Sequence, residues 1–137
     1  MNSSQIKTPF WAHDSKWSWL LNDVSELKEP EESYLDSGEV SRIKIIDSNL
    51  NQYEVSEVSI KGKSGIFGWK PGYKGRYLKV ELNLSLCKRL QLDEAKDYMM
   101  KFASQHPEVY SSGIGIDELA KRIRESKDPK SLLSSFI

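Results

Sequence analysis

Two histidines, one cysteine and a crowded run of carboxylates are the groups from which this 137-residue chain would have to build a reactive centre. His13 and His106 lie far apart in the sequence, and no serine or carboxylate is spaced from either in a relay pattern. His106 stands beside Pro107 at the end of a helical pattern, where an imidazole serves as a dipole partner or a surface group. Cys87 precedes Lys88 and Arg89. Neighbouring cations lower a thiol pKa, as a nucleophile requires, but a single cysteine at a strand end is ordinarily a small core residue. Carboxylates abound between residues 26 and 39, yet acid catalysis of the glycosidase kind needs one carboxyl held in an apolar pocket, and a solvated acidic run is the opposite environment. There is no HExxH, no EF-hand loop and no metal-spaced His/Cys set. GKSG at 62–65 contains a GKS, but the earlier glycine of a phosphate-binding loop would fall at Glu57, and turn or strand follows in place of a helix. SSGIGIDE, 111–118, reads as a loop leading into a helix. The expectation is a protein without catalytic residues, resident metal or cofactor.

What remains is charge and aromatic surface. The net charge is zero, but it is strongly divided. Residues 1–60 carry five Lys/Arg against eleven Asp/Glu, net −6; residues 61–90 carry eight against one, net +7. The acidic part concentrates in ELKEPEESYLDSGE, residues 26–39, with Glu26, Glu29, Glu31, Glu32, Asp36 and Glu39 against Lys28 alone. The basic part holds GIFGWKPGYKGRYLK, residues 65–79, with four glycines, four aromatic residues and four cations but no acid. Segment charges of this size shape encounter rates and partner choice and say little about fold. The plainest outcome is that the two segments neutralise each other or stay solvated.

Length and composition suit one soluble domain with a single core and no need of disulfides. No apolar run approaches the roughly 20 residues of a membrane helix, and MNSSQIKTPFWAHD lacks the charged-then-apolar start of a signal peptide. One cysteine fits a reducing cytoplasm. The elements that must position the charged segments follow from periodicity. Asp14 or Ser15 caps a helix expected over about 14–28, whose stripe is Trp17, Leu20, Leu21, Val24 and Leu27, with Pro30 beyond its end. On this reading Trp17 is buried, and Trp11 or Trp19 packs outside the stripe or is exposed as a binding residue. Strands are expected at 40–47, 53–62 and 77–86, with turn chemistry at 48–52. The second slips phase between Val55 and Val58, the mark of a bulge. In the third, Leu78, Val80, Leu82, Leu84 and Leu86 share one face, and the short run 63–69 offers a further strand. Helices follow at 92–104 and 115–126, then a short one opened by Asp128 and Pro129. The sum is an α+β chain: an antiparallel sheet of three to five strands, helices packed on one face, an N-terminal helix and a C-terminal helical segment.

In its size, architecture, lack of catalytic motifs and dense ELKEPEESYLDSGE acids, the chain resembles the immunity proteins of bacterial toxin systems such as contact-dependent growth inhibition. The resemblance implies a cytoplasmic, non-enzymatic inhibitor with a cognate toxin as partner, a nuclease being one candidate. The acids Glu26, Glu29, Glu31, Glu32, Asp36 and Glu39, with Trp19, are the expected partner-binding residues, since opposite charge steers association with a cationic cleft. The alternative is a nucleic-acid-binding domain. Lys61, Lys63, Lys70, Lys74 and Arg76 would meet phosphates, and Trp69, Tyr73 and Tyr77 would stack on bases.

Overall fold

The computed structural model describes residues 6–28, 30–63, 78–106 and 115–135. Five antiparallel strands form one sheet in the order β2-β1-β3-β4-β5: β1 (Phe10–His13), β2 (Ser18–Leu21), β3 (Lys44–Ile46), β4 (Asn51–Lys63) and β5 (Leu78–Arg89). The α+β reading of the sequence is the architecture observed. Among the described residues four α-helices accompany the sheet: α1 (Glu32–Asp36), α2 (Leu92–Gln105), α3 (Gly115–Glu125) and α4 (Pro129–Ser134). Short 3-10 helices span Val24–Leu27 and Glu39–Arg42.

The C-terminal helices match their sequence patterns closely. Ala95, Met99, Phe102 and Ala103 are the buried side of α2, and Leu119 and Ile123 that of α3. Asp128 caps α4 by accepting from the Ser131 amide at 2.8 Å, with Pro129 in the first turn where no amide is needed. The β4 phase slip is a real irregularity: the register with β5 shifts between Val55 and Glu57, leaving Ser56 as the extra residue. The 48–52 turn is organised by Asp47, whose Oδ1 accepts from the Asn49 and Asn51 amides, each at 2.9 Å.

The expected N-terminal helix over 14–28 is not there. FWAH and SWLL are β1 and β2, paired from Phe10–Leu21 to His13–Ser18. β1 is buried throughout and β2 half-buried throughout, and short strands covered in this way have no polar alternation to separate them from a helical stripe. Asp14 does cap backbone amides, but those of a turn: its Oδ1 accepts from Lys16 and Trp17 at 2.8 and 2.7 Å. Helical geometry starts only at Val24, where Asp23 and Glu26 form a capping box. The expected strand 40–47 likewise shortens to β3, with a 3-10 turn before it.

The sheet separates two apolar clusters. On one face, Trp11 and Ile46 pack with α2, α3 and α4, including the fully buried Met99, Ile123, Leu132 and Leu133. On the other, Phe10, Ala12, Ile45, Tyr53, Val80, Leu82 and Leu84 pack with Trp19, Leu21, Val24, Leu27 and Tyr34. The three long or C-terminal helices thus share one face, as expected. The leucine face of β5 instead lies under the short helical turns of residues 24–42. Leu86, at the end of that row, is 47 % exposed.

Candidate functional site

The acidic segment is folded as a cover over the second cluster. Its path is fixed from both sides. On one side Glu39 accepts from the Ser15 amide at 3.0 Å and from its hydroxyl at 2.7 Å, and takes Arg42 Nη1 at 3.1 Å. Tyr34 Oη donates to Asp14 Oδ2 at 2.6 Å. Burial, then this bond to the carboxylate, hold the Tyr34 phenol far above its ordinary pKa, so it remains a donor. On the other side the carbonyls of Lys28 and Pro30 accept from the amides of Val80 and Leu78 at 2.8 and 3.0 Å, adding this stretch to the β5 edge. Between α1 and the following 3-10 helix the chain reverses at Gly38, with φ of 82°, a left-handed conformation suited to glycine.

The cover leaves a cavity of about 230 Å³. Trp19 and Leu21 of β2 form one wall, Leu27, Pro30 and Tyr34 the acidic segment's wall, and Val40 and Ile43 close it; among the described residues Glu26 is the charged member of the lining. The expected site residues therefore come together only in part. Trp19 is half-buried and lines the cavity, and Glu26 borders it. Glu26 also accepts, at 3.3 and 3.4 Å, from the Asn22 and Asp23 amides. Glu39 is occupied by Ser15 and Arg42, and Glu32 is half-buried. Glu31 and Asp36 are exposed, and Glu31 caps no amide with its side chain. Glu29 lies outside the described residues. Leu27, Pro30, Tyr34, Val40 and Ile43 were not singled out from the sequence as site residues. The available signal was the apolar interleaving of the acids, with Leu27, Pro30, Tyr34 and Leu35 set among them.

The tryptophans differ from expectation. Trp17, expected in a buried stripe, is 50 % exposed in the β1–β2 turn, with Lys16 Nζ 5.3 Å from its ring centroid. Trp11 is fully buried and edge-on to Tyr98 and Phe102, at 6.2 and 5.6 Å. The helix-based assignment fails because a hairpin turn, not a helix face, carries Trp17.

Of the candidate reactive groups, His13 is buried in an aromatic box. Its Nδ1 donates to the Asp14 carbonyl at 2.7 Å, and its Nε2 meets Tyr98 Oη at 2.7 Å. Burial lowers its pKa, opposed in part by that carbonyl. Both ring nitrogens are engaged, as suits a structural imidazole. Cys87 is exposed, so it is not a core residue, and its thiol pKa is raised by desolvation and by Glu54 rather than lowered by Lys88. Lys88 Nζ lies 3.2 Å from Glu94. No group of three His, Cys, Asp or Glu able to hold a metal occurs among the described residues. Lys70, Trp69, Tyr73, Lys74, Arg76 and Tyr77, and all of the 63–69 run beyond Lys63, lie outside the described residues. Lys61 pairs with Glu81 at 3.3 Å. No described helix is long and apolar enough to cross a membrane.

No family model, curated protein or solved structure matches the chain.

Proposed function

We propose that this chain is a non-enzymatic binding protein that neutralises a basic partner protein, acting as an immunity protein against a cognate bacterial toxin in the cytoplasm. The observation that carries the reading is the apolar cavity set into the acidic segment, with Trp19 in its wall, Glu26 at its border and Glu31 and Asp36 exposed on the same segment. At about 230 Å³ the cavity is smaller than the roughly 300–1,000 Å³ of small-molecule pockets. It suits a single large side chain inserted by a protein. An apolar pocket that takes one anchoring side chain is the arrangement of an interface hot spot, and the acids of the segment supply the steering toward a cationic cleft such as a nuclease's.

The test is an affinity pull-down of the tagged chain from its own cells, at low and at physiological salt. One near-stoichiometric protein retained through the salt step is the expected result. Glu31→Lys combined with Asp36→Lys then slows its association at least about tenfold, since rim charges act on the on-rate, while the circular dichroism of the variant is unchanged. Retention of nucleic acid without a protein, or a partner indifferent to the double reversal, overturns the reading.

A further inference from the structure

Among the described residues β5 is an edge strand, the last in the order β2-β1-β3-β4-β5. Its first half is already paired on the outside. Leu78 and Val80 donate their amides to the carbonyls of Pro30 and Lys28. These two bonds fix the parity of the strand: even-numbered residues turn their backbone groups outward, away from β4. The Asn83 carbonyl, an odd position, accepts from Ser56 Oγ on β4, in agreement. Through residues 78–86 the register shifts fall at Val55/Glu57 and Ile60/Gly62, with the extra residues on β4, so β5 keeps its phase. Leu82, Leu84 and Leu86 therefore continue the outward row, and no backbone partner meets it among the described residues. The next shift, opposite Gln52/Tyr53, leaves Cys87 unpaired and ends the straight run.

Sheet edges are normally blunted by lysine, proline, bulges or inward charges. The open stretch LNLSL, residues 82–86, has none of these, and its last leucine is 47 % exposed. We propose that this edge pairs with the same edge of a second copy, antiparallel about a two-fold axis at Leu84. The occupant is identified by self-complementarity. In that register Leu84 faces the partner's Leu84, Leu82 faces the partner's Leu86, and Asn83 faces the partner's Ser85. The leucine row continues across the axis on one side of the sheet, and uncharged polar residues meet on the other. At the flanks Glu81 faces the partner's Cys87, next to the partner's Lys88, so no like charges are opposed within the paired stretch. Pairing stops before Val80, whose amide is taken by Lys28. A closed two-fold contact of this kind yields a dimer and consumes both edges. The inference rests on backbone pairing and is independent of the acidic site.

The test is sedimentation equilibrium of the full chain from micromolar concentration to about 1 mM, beyond which association has no practical weight. A monomer–dimer equilibrium is expected. Leu86→Pro removes one outward amide without touching the β4 ladder, and Leu86→Lys places a charge on the open edge. Each change occurs twice across the axis, so each weakens dimerisation at least about tenfold. Unchanged thermal unfolding of the monomeric variants separates lost pairing from lost folding, and Leu86→Lys, an exposed side-chain change, serves if the proline variant unfolds. A wild-type monomer throughout the range, or a dimer unaffected by both substitutions, overturns the proposal.

Discussion

Asp14→Ala removes an acceptor that joins the hairpin turn to the acidic segment. The carboxylate is 2 % exposed and takes three donors: the Lys16 amide at 2.8 Å, the Trp17 amide at 2.7 Å and Tyr34 Oη at 2.6 Å. A hydrogen bond to a charged group contributes about 1.5–3 kcal/mol. The two turn amides recover part of that from water once the carboxylate is gone. The half-buried Tyr34 hydroxyl recovers less. The expected loss for Asp14→Ala is therefore about 3–5 kcal/mol, below the simple sum of three bonds. Asp14→Asn keeps Oδ1 for both amides and alters only the Tyr34 contact, so it costs about 1–2 kcal/mol. Tyr34→Phe leaves the buried carboxylate one donor short and costs a similar amount. Urea unfolding of the three single variants and of Asp14→Ala with Tyr34→Phe gives each value and the coupling between them. Because the two residues share one bond, the double variant loses less than the sum, by about 1–2 kcal/mol. An Asp14→Ala loss below about 1 kcal/mol, or strictly additive losses, would show that the turn and the acidic segment are held together by packing alone.

Two further expectations concern single positions. His13 has a folded-state pKa lowered chiefly by burial, with Lys44 and His106 adding to the shift and Asp14 opposing it. The unfolded chain therefore binds the proton first, and stability falls as pH drops from about 6.5 toward the folded value. Unfolding free energies measured across that window decline less steeply in His13→Gln, and equal slopes in the two proteins would remove His13 as the cause. Gly38 has φ of 82° with open space where a Cβ would stand. Gly38→Ala therefore costs about 1–2 kcal/mol through backbone strain alone, and Gly38→Asn less, because asparagine tolerates the left-handed region. Thermal melts that rank alanine equal to glycine would contradict this.

The parts of the fold that were legible in the sequence are those where one face is wet. α2 and α3 alternate buried and solvated positions at helical period, Asp128-Pro129 announces α4, and β5 alternates Val80, Leu82 and Leu84 with Lys79, Glu81 and Asn83. The hairpin of β1 and β2 was not legible, because its residues are covered on both faces. Phe10 and Ala12 belong to one cluster, and Trp11, in between, to the other. A pattern with no polar side gives neither period. The same limit applies to the candidate site. The acids of 26–39 are conspicuous as composition, whereas the cavity needs Trp19 and Leu21 brought beside Tyr34 and Val40. That juxtaposition is made by strand pairing and by the Asp14–Tyr34 bond, and no local spacing encodes it. The position of Trp17 followed the same error, since its exposure is a property of the turn.

β1 precedes its cover in the sequence: the side chains that pack with Trp11 come from Phe102 and from helices ending near Leu133. On a ribosome adding about 5–20 residues per second, the interval between these positions is roughly 6–24 s. Until it has passed, the helical cover of that strand is incomplete. Helices made later complete the burial of a strand made earlier, so this face of the sheet closes only after Leu133 has been added. A chain cut ahead of α2 carries Trp11 without Tyr98 and Phe102 and presents an apolar handle for chaperones and proteases.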